Sequence, residues 1–66
     1  MNKADAKQIA QNLCLEKGWP WIEPIEVRWG LFYFTIRTNA QSRGANVYIR
    51  IRKRDGTITY AGIAPY

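Results

Sequence analysis

Tyrosine and arginine recur at alternate positions in two stretches of this chain. Tyr33, Thr35 and Arg37 make the first, and Tyr48, Arg50, Arg52 and Arg54 the second. A period of two sets such residues on one face of an extended strand. Arginine carries a permanent charge on a planar fork that fits carboxylate or phosphate. A tyrosine ring adds a flat apolar face with a polar tip. The chemistry this pattern supports is recognition of an anionic partner.

Bond-making chemistry finds little material. The chain has 66 residues, no histidine, one cysteine and five carboxylates. Those counts exclude histidine-based triads, disulfide frameworks and zinc-finger spacings. Cys14 falls at the edge of an apolar helix stripe with no histidine to activate it, so a buried structural thiol is expected. Asp5, Glu16, Glu23, Glu26 and Asp55 are scattered, and no spacing sets two of them up as an acid/base pair or a metal-binding loop. Gly44 and Gly56 read as turn glycines, not as a phosphate cradle. The expectation is a non-enzymatic protein with no cofactor and no metal.

The net charge of +5 is uneven. Residues 1–24 balance Lys3, Lys7 and Lys17 against Asp5, Glu16 and Glu23. The whole excess lies in residues 25–66, where Arg28, Arg37, Arg43, Arg50, Arg52, Lys53 and Arg54 face only Glu26 and Asp55. Such an excess serves solubility as well as binding. With 47% hydrophobic and 23% charged residues, the composition is globular, and the length fits one small domain over residues 1–66. No apolar run approaches the roughly 18 residues of a membrane span, so no membrane partner is expected. Met1-Asn2-Lys3-Ala4-Asp5 lacks the apolar stretch of a signal peptide, so a cytoplasmic location is expected.

The elements that must position the arginines and tyrosines follow from periodicity. Ala6, Ile9, Ala10, Leu13 and Cys14 form one helical stripe, which predicts a helix over 3–17. Asn2 is the candidate N-cap, Asp5 suits the first turn, and Gly18 fits the left-handed closing position. Trp19-Pro20-Trp21-Ile22-Glu23-Pro24 cannot continue a helix and reads as a stiff aromatic connector. From Ile25 the period becomes two. Gly30-Leu31 fits a type II′ turn that sets Trp29 opposite Phe32, Val27 opposite Phe34, Ile25 opposite Ile36 and Arg28 opposite Tyr33. Asp55-Gly56 fits a type I′ turn that sets Ile51 opposite Tyr60, Ile49 opposite Gly62, Arg52 opposite Thr59 and Arg54 opposite Thr57. A polar loop, 38–46, separates the hairpins, and if strands two and three also pair, facing rules put Phe34 beside Ile49 and Phe32 beside Ile51. The expected fold is α+β: an N-terminal helix on one face of a four-stranded antiparallel meander. Its apolar face would comprise Ile25, Val27, Trp29, Phe32, Phe34, Ile36, Val47, Ile49, Ile51, Ile58 and Tyr60. Whether strand four also closes against strand one is left open by these spacings.

One helix covers one face, and the other is left to solvent or a partner. It would carry Glu26, Arg28, Tyr33, Thr35, Arg37, Tyr48, Arg50, Arg52, Arg54, Thr57, Thr59 and Ala61. Within it Arg50–Tyr33 and Arg28–Tyr33 are candidate cation–π pairs. The candidate partner-binding residues are Tyr33, Arg37, Tyr48, Arg50 and Arg52, with Trp19 and Trp21 either capping the end of the core or anchoring a partner. The expected partner is another protein or an anionic surface; the alternative is single-stranded nucleic acid on the same face. Strands one and four would be edges, flanked by Pro24 and Pro65, and an open edge allows weak self-association of an otherwise monomeric chain.

The second half has a recognisable layout. Phe32-Tyr33-Phe34 is followed by a polar loop with Asn46, then Val47-Tyr48-Ile49-Arg50-Ile51, the Asp55-Gly56 turn, Ile58 and Gly62-Ile63-Ala64-Pro65. With the N-terminal helix this resembles the YrhB-like immunity-protein family and, more distantly, PepSY-like domains. The resemblance implies a small non-catalytic protein that neutralises a partner protein such as a toxin.

Overall fold

The structure, a computed structural model, describes residues 2–42 and 44–64. Helix α1 spans Lys3–Lys17, with β1 at Glu26–Trp29, β2 at Tyr33–Arg37, β3 at Asn46–Arg52 and β4 at Ile58–Ala64. The strands form one antiparallel sheet in the order β1-β2-β3-β4, open at both sides, with α1 against β1 and β2. The fold is α+β, as the periodicity predicts.

Both helix ends are closed locally. The Asn2 side chain accepts from the Asp5 backbone N–H at 2.9 Å, and the Asp5 carboxylate accepts from the Asn2 N–H at 3.3 Å, a capping box. At the other end Gly18 takes φ 71°, and the N–H groups of Gly18 and Trp19 return to the carbonyls of Leu15 and Cys14. That is a Schellman closure, which satisfies otherwise unpaired carbonyls. The helix face is small: Ala6, Ala10 and Cys14 are buried against Phe34, Ile36, Val47, Ile49 and Ile51. Ile9, Leu13, Trp19, Trp21, Ile25, Val27, Ile58 and Ala61 pack around that centre half-buried.

The turns depart from the two-residue expectation. Gly30 lacks the positive φ of a type II′ turn, and its N–H donates to the Tyr33 carbonyl at 2.9 Å. Trp29 therefore pairs with Phe34, Val27 with Ile36, Arg28 with Thr35 and Glu26 with Arg37. This register is displaced by two residues, so every side chain keeps its expected face. Phe32 leaves the sheet for the turn, and with Trp29 it leaves the core: they are 69% and 63% exposed. The β2–β3 register is displaced likewise, with Phe34 opposite Ile51 and Ile36 opposite Ile49.

The β3–β4 connection runs over five residues, Lys53 to Thr57. The Arg52 N–H donates to the Thr57 carbonyl and the Gly56 N–H to the Arg52 carbonyl, both at 2.8 Å, with Gly56 at φ 74°. A bulge then breaks the ladder between Arg50 and Ile51: Ile58 faces Ile51, but Tyr60 faces Arg50 and Ala61 faces Ile49. The extra residue inverts the remainder of β4. Tyr60, expected in the core, lies on the open face, and Ala61, expected on the open face, lies on the core face.

The polar loop is packed tightly. Asn46 is 3% exposed, and its Nδ2 donates to the carbonyls of Thr38, Asn39 and Ser42 at 2.8, 2.9 and 3.3 Å. The buried Thr38 Oγ1 accepts from the Val47 N–H at 2.9 Å. The Asn39 and Ala40 N–H groups donate to the carbonyls of Ile22 and Pro24, tying the loop to the connector. β1 and β4 are the edges, and Pro24 precedes the first; Pro65 lies outside the described residues. No helix among the described residues is long and apolar enough to cross a membrane.

Candidate binding face

The face opposite α1 is built from two rows that run across the strands. One row is Glu26, Arg37, Tyr48 and Gly62; the other is Arg28, Thr35, Arg50 and Tyr60. Tyr33 and Arg52 pair beyond them at the turn end. Alternation puts these side chains outward because their neighbours Phe34, Ile36, Ile49 and Ile51 point to the core. Among the described residues no element lies over this face.

The four arginines are not equivalent. Arg28 Nε sits 3.2 Å from the Glu26 carboxylate, and Arg52 sits 3.3 Å from that of Asp55. Both are solvated pairs of a kind worth about 0–1 kcal/mol. Arg50 has no carboxylate partner among the described residues. Its guanidinium stacks 4.8 Å from the centre of the Tyr33 ring, and its Nε donates to Thr59 Oγ1 at 3.1 Å. Thr59 Oγ1 in turn donates to the Arg50 carbonyl at 3.2 Å, fastening the bulge. Arg37 lies 5.9 Å from the Tyr48 ring, and its buried Nε has no hydrogen-bond partner among the described residues. The second expected cation–π pair does not form, because Arg28 faces Thr35 and turns to Glu26.

Two shallow depressions meet here. One of 290 Å³ is lined by Thr35, Tyr48, Ile49, Arg50 and Tyr60, and its neighbour of 190 Å³ by Glu26, Arg28, Thr35, Arg37 and Tyr48. Gly62 shapes the first. A Cβ on Gly62 would stand 2.9 Å from the Tyr60 hydroxyl, so the absence of a side chain lets that ring lie along the strand.

Of the residues singled out from sequence, Tyr33, Arg37, Tyr48, Arg50 and Arg52 share this face. Trp19 and Trp21 do not join them: both are half-buried against the core cluster on the helix side. Sequence reasoning missed Tyr60. The signal was a parity change in β4, where Ile58 and the later pair Ala61 and Ile63 fall on opposite phases of a period of two. Such a change marks a bulge.

Two groups have displaced ionisation. Burial pushes the Cys14 thiol up, which suits a packing role. The Asp55 carboxyl is held below its ordinary value, first by the Thr57 backbone N–H at 3.0 Å and then by the Thr57 side chain and the charges of Arg52 and Arg54. No group of three or more His, Cys, Asp or Glu residues that could hold a metal ion occurs among the described residues. No protein-family model, curated protein or solved structure matches this chain.

Proposed function

We propose that the chain is a non-enzymatic binding module that receives an acidic protein surface on its open tyrosine/arginine face. The observation that carries this reading is the state of Arg37 and Arg50. Both lie on a face left uncovered, and neither has a carboxylate partner among the described residues. Carboxylates of a partner would pair with the terminal nitrogens of both forks, while Tyr33, Tyr48 and Tyr60 supply contact area around them. A protein partner is also what the YrhB-like resemblance implies.

Single-stranded nucleic acid is the second reading, favoured by the presence of Tyr60, 57% exposed, on the same face. Base stacking needs free ring faces. Two of the three rings already carry a guanidinium, at 4.8 Å for Tyr33 and 5.9 Å for Tyr48, which weighs toward the protein reading.

The test is an amide NMR titration of the labelled protein at about 150 mM salt, where the Debye length is about 8 Å. One arm uses a Glu/Tyr copolymer and the other a mixed single-stranded RNA and DNA pool. Shifts at Arg37, Tyr48, Arg50 and Tyr60 with the copolymer alone, lost in Arg50→Glu, are the expected result. Shifts with the oligonucleotide pool that weaken steeply with added salt would move the assignment to nucleic acid. No shift in either arm refutes a binding role for this face.

A further inference from the structure

The turn between β1 and β2 holds large apolar side chains in water. Trp29, Leu31 and Phe32 are 63%, 86% and 69% exposed. The turn is nevertheless held firmly. The Gly30 N–H donates to the Tyr33 carbonyl at 2.9 Å, Lys53 Nζ donates to the Gly30 carbonyl at 2.8 Å, and the Lys53 N–H donates to the Phe32 carbonyl at 2.9 Å. Those bonds bring the β1–β2 turn beside the β3–β4 loop at one end of the sheet. Cations therefore surround the apolar tip. Lys3 stands 4.0 Å over the Trp29 ring, Lys53 lies 5.2 Å from the Phe34 ring, and Arg52 and Arg54 flank the other side. Between the two loops is a 360 Å³ cleft with Leu31, Phe32 and Tyr33 on one wall and Arg52, Lys53 and Arg54 on the other. Asp55 is the sole carboxylate of these loops, and Thr57 and Arg52 already occupy it.

We propose that this tip docks on the surface of a bilayer containing anionic phospholipid. Leucine and phenylalanine at the end of a turn can enter the boundary between headgroups and acyl chains, and a tryptophan beside them suits the interface. Basic residues just behind the apolar tip meet the negative headgroups. The complementarity is in both properties at once, since the tip is apolar where a membrane is apolar and positive where it is negative. Such docking is peripheral and needs no spanning helix. It is independent of the open-face reading, although Tyr33 and Arg52 border both surfaces.

The experiment is vesicle flotation with phosphatidylcholine alone and with added phosphatidylserine, read alongside tryptophan fluorescence. Binding is expected only with phosphatidylserine, with a blue shift from Trp29, the most exposed of the three tryptophans. Leu31→Asp should abolish it. Arg54→Glu should weaken it about fivefold or more, the equivalent of losing about 1 kcal/mol per basic residue. Lys17→Glu, at the far end of α1 from Lys3 and so about 20 Å from it at the helical rise of about 1.5 Å per residue, should leave it within about twofold at about 150 mM salt, where distant charge is screened. No binding to phosphatidylserine vesicles overturns the proposal, as does unchanged binding by Leu31→Asp. Concentration-dependent sedimentation that Leu31→Asp removes, without vesicle binding, would give the tip to a second copy and also overturn it.

Discussion

Replacing Asn46 by alanine should be among the most damaging single changes in this chain. The side chain is 3% exposed, and its amide donates to three backbone carbonyls, two of them at 2.8 and 2.9 Å. Truncation leaves the buried Thr38 carbonyl and the half-buried Asn39 carbonyl without that donor. An unsatisfied buried acceptor costs about 1–3 kcal/mol, so two cost about 2–4 kcal/mol allowing for relaxation. A domain of 66 residues has a total stability of about 3–10 kcal/mol at the usual 0.05–0.15 kcal/mol per residue. The loss is thus about a fifth of the total or more. At about 4–8 °C per kcal/mol for a domain of this size, the Tm should fall roughly 10–30 °C. Asn46→Asp should lose at least as much, because a carboxylate would face three acceptors. Calorimetry and urea unfolding followed by circular dichroism measure both variants. A Tm shift below about 3 °C for Asn46→Ala would mean that water satisfies those carbonyls and that the amide does not organise the loop.

The remaining predictions are shorter. Cys14 should resist alkylation in the native protein and react in step with urea unfolding, because it is buried and its thiol pKa is raised; rapid native labelling would contradict that. Asp55 has a lowered folded pKa, so its contribution is present above the ordinary value of about 3.9 and is lost as pH falls through the lower folded value. Carbon-detected NMR should follow Asp55 titrating below that value, with Thr57 and Gly56 amides moving together, and Asp55→Asn should remove the response; titration at or above about 3.9 would refute the assignment. Gly62→Ala should push the Tyr60 ring off the strand, because the new Cβ would stand 2.9 Å from its hydroxyl. Stability should change by less than about 1 kcal/mol while copolymer binding weakens, and unchanged tyrosine chemical shifts would show that the ring was never held there.

The helix, its caps, the meander order and the faces of β1, β2 and β3 were all legible in the sequence, whereas the registers were not. The difference lies in where the registers are set. Gly30-Leu31 offered a two-residue turn at the tip, but there Gly30 bonds to Tyr33 instead, and the pairing is held at the opposite end as well. There the Thr38 N–H donates to the Val47 carbonyl and the Thr38 hydroxyl oxygen accepts from the Val47 N–H, and the Asn39 and Ala40 N–H groups hold the connector through the carbonyls of Ile22 and Pro24. These bonds join residues far apart in sequence, so local turn chemistry cannot reveal them. The faces survived because a displacement of two residues leaves a period of two unchanged. The candidate face was readable on three strands for that reason.

The fourth strand answers to a different cause, and the binding reading depends on it. One extra residue beside Arg50 inverts β4 beyond the bulge, so each later side chain exchanges faces. Without it Tyr60 would face Ile49 on the core side and Ala61 would face outward opposite Tyr48. The bulge instead takes Tyr60 to Arg50 and gives the core the small Ala61, opposite the fully buried Ile49. Thr59, the residue at the irregularity, holds both the backbone carbonyl and the side chain of Arg50. Thr59→Val keeps the shape and removes both bonds. Its expected effect is a loss of about 0.5–1.5 kcal/mol per exposed hydrogen bond at most, together with freedom of the Arg50 fork. If the open face recognises an acidic partner through a preorganised Arg50, that variant should bind the Glu/Tyr copolymer more weakly at a temperature where circular dichroism shows it fully folded. Undiminished binding would mean that the positive charge alone suffices and that the bulge serves only the core.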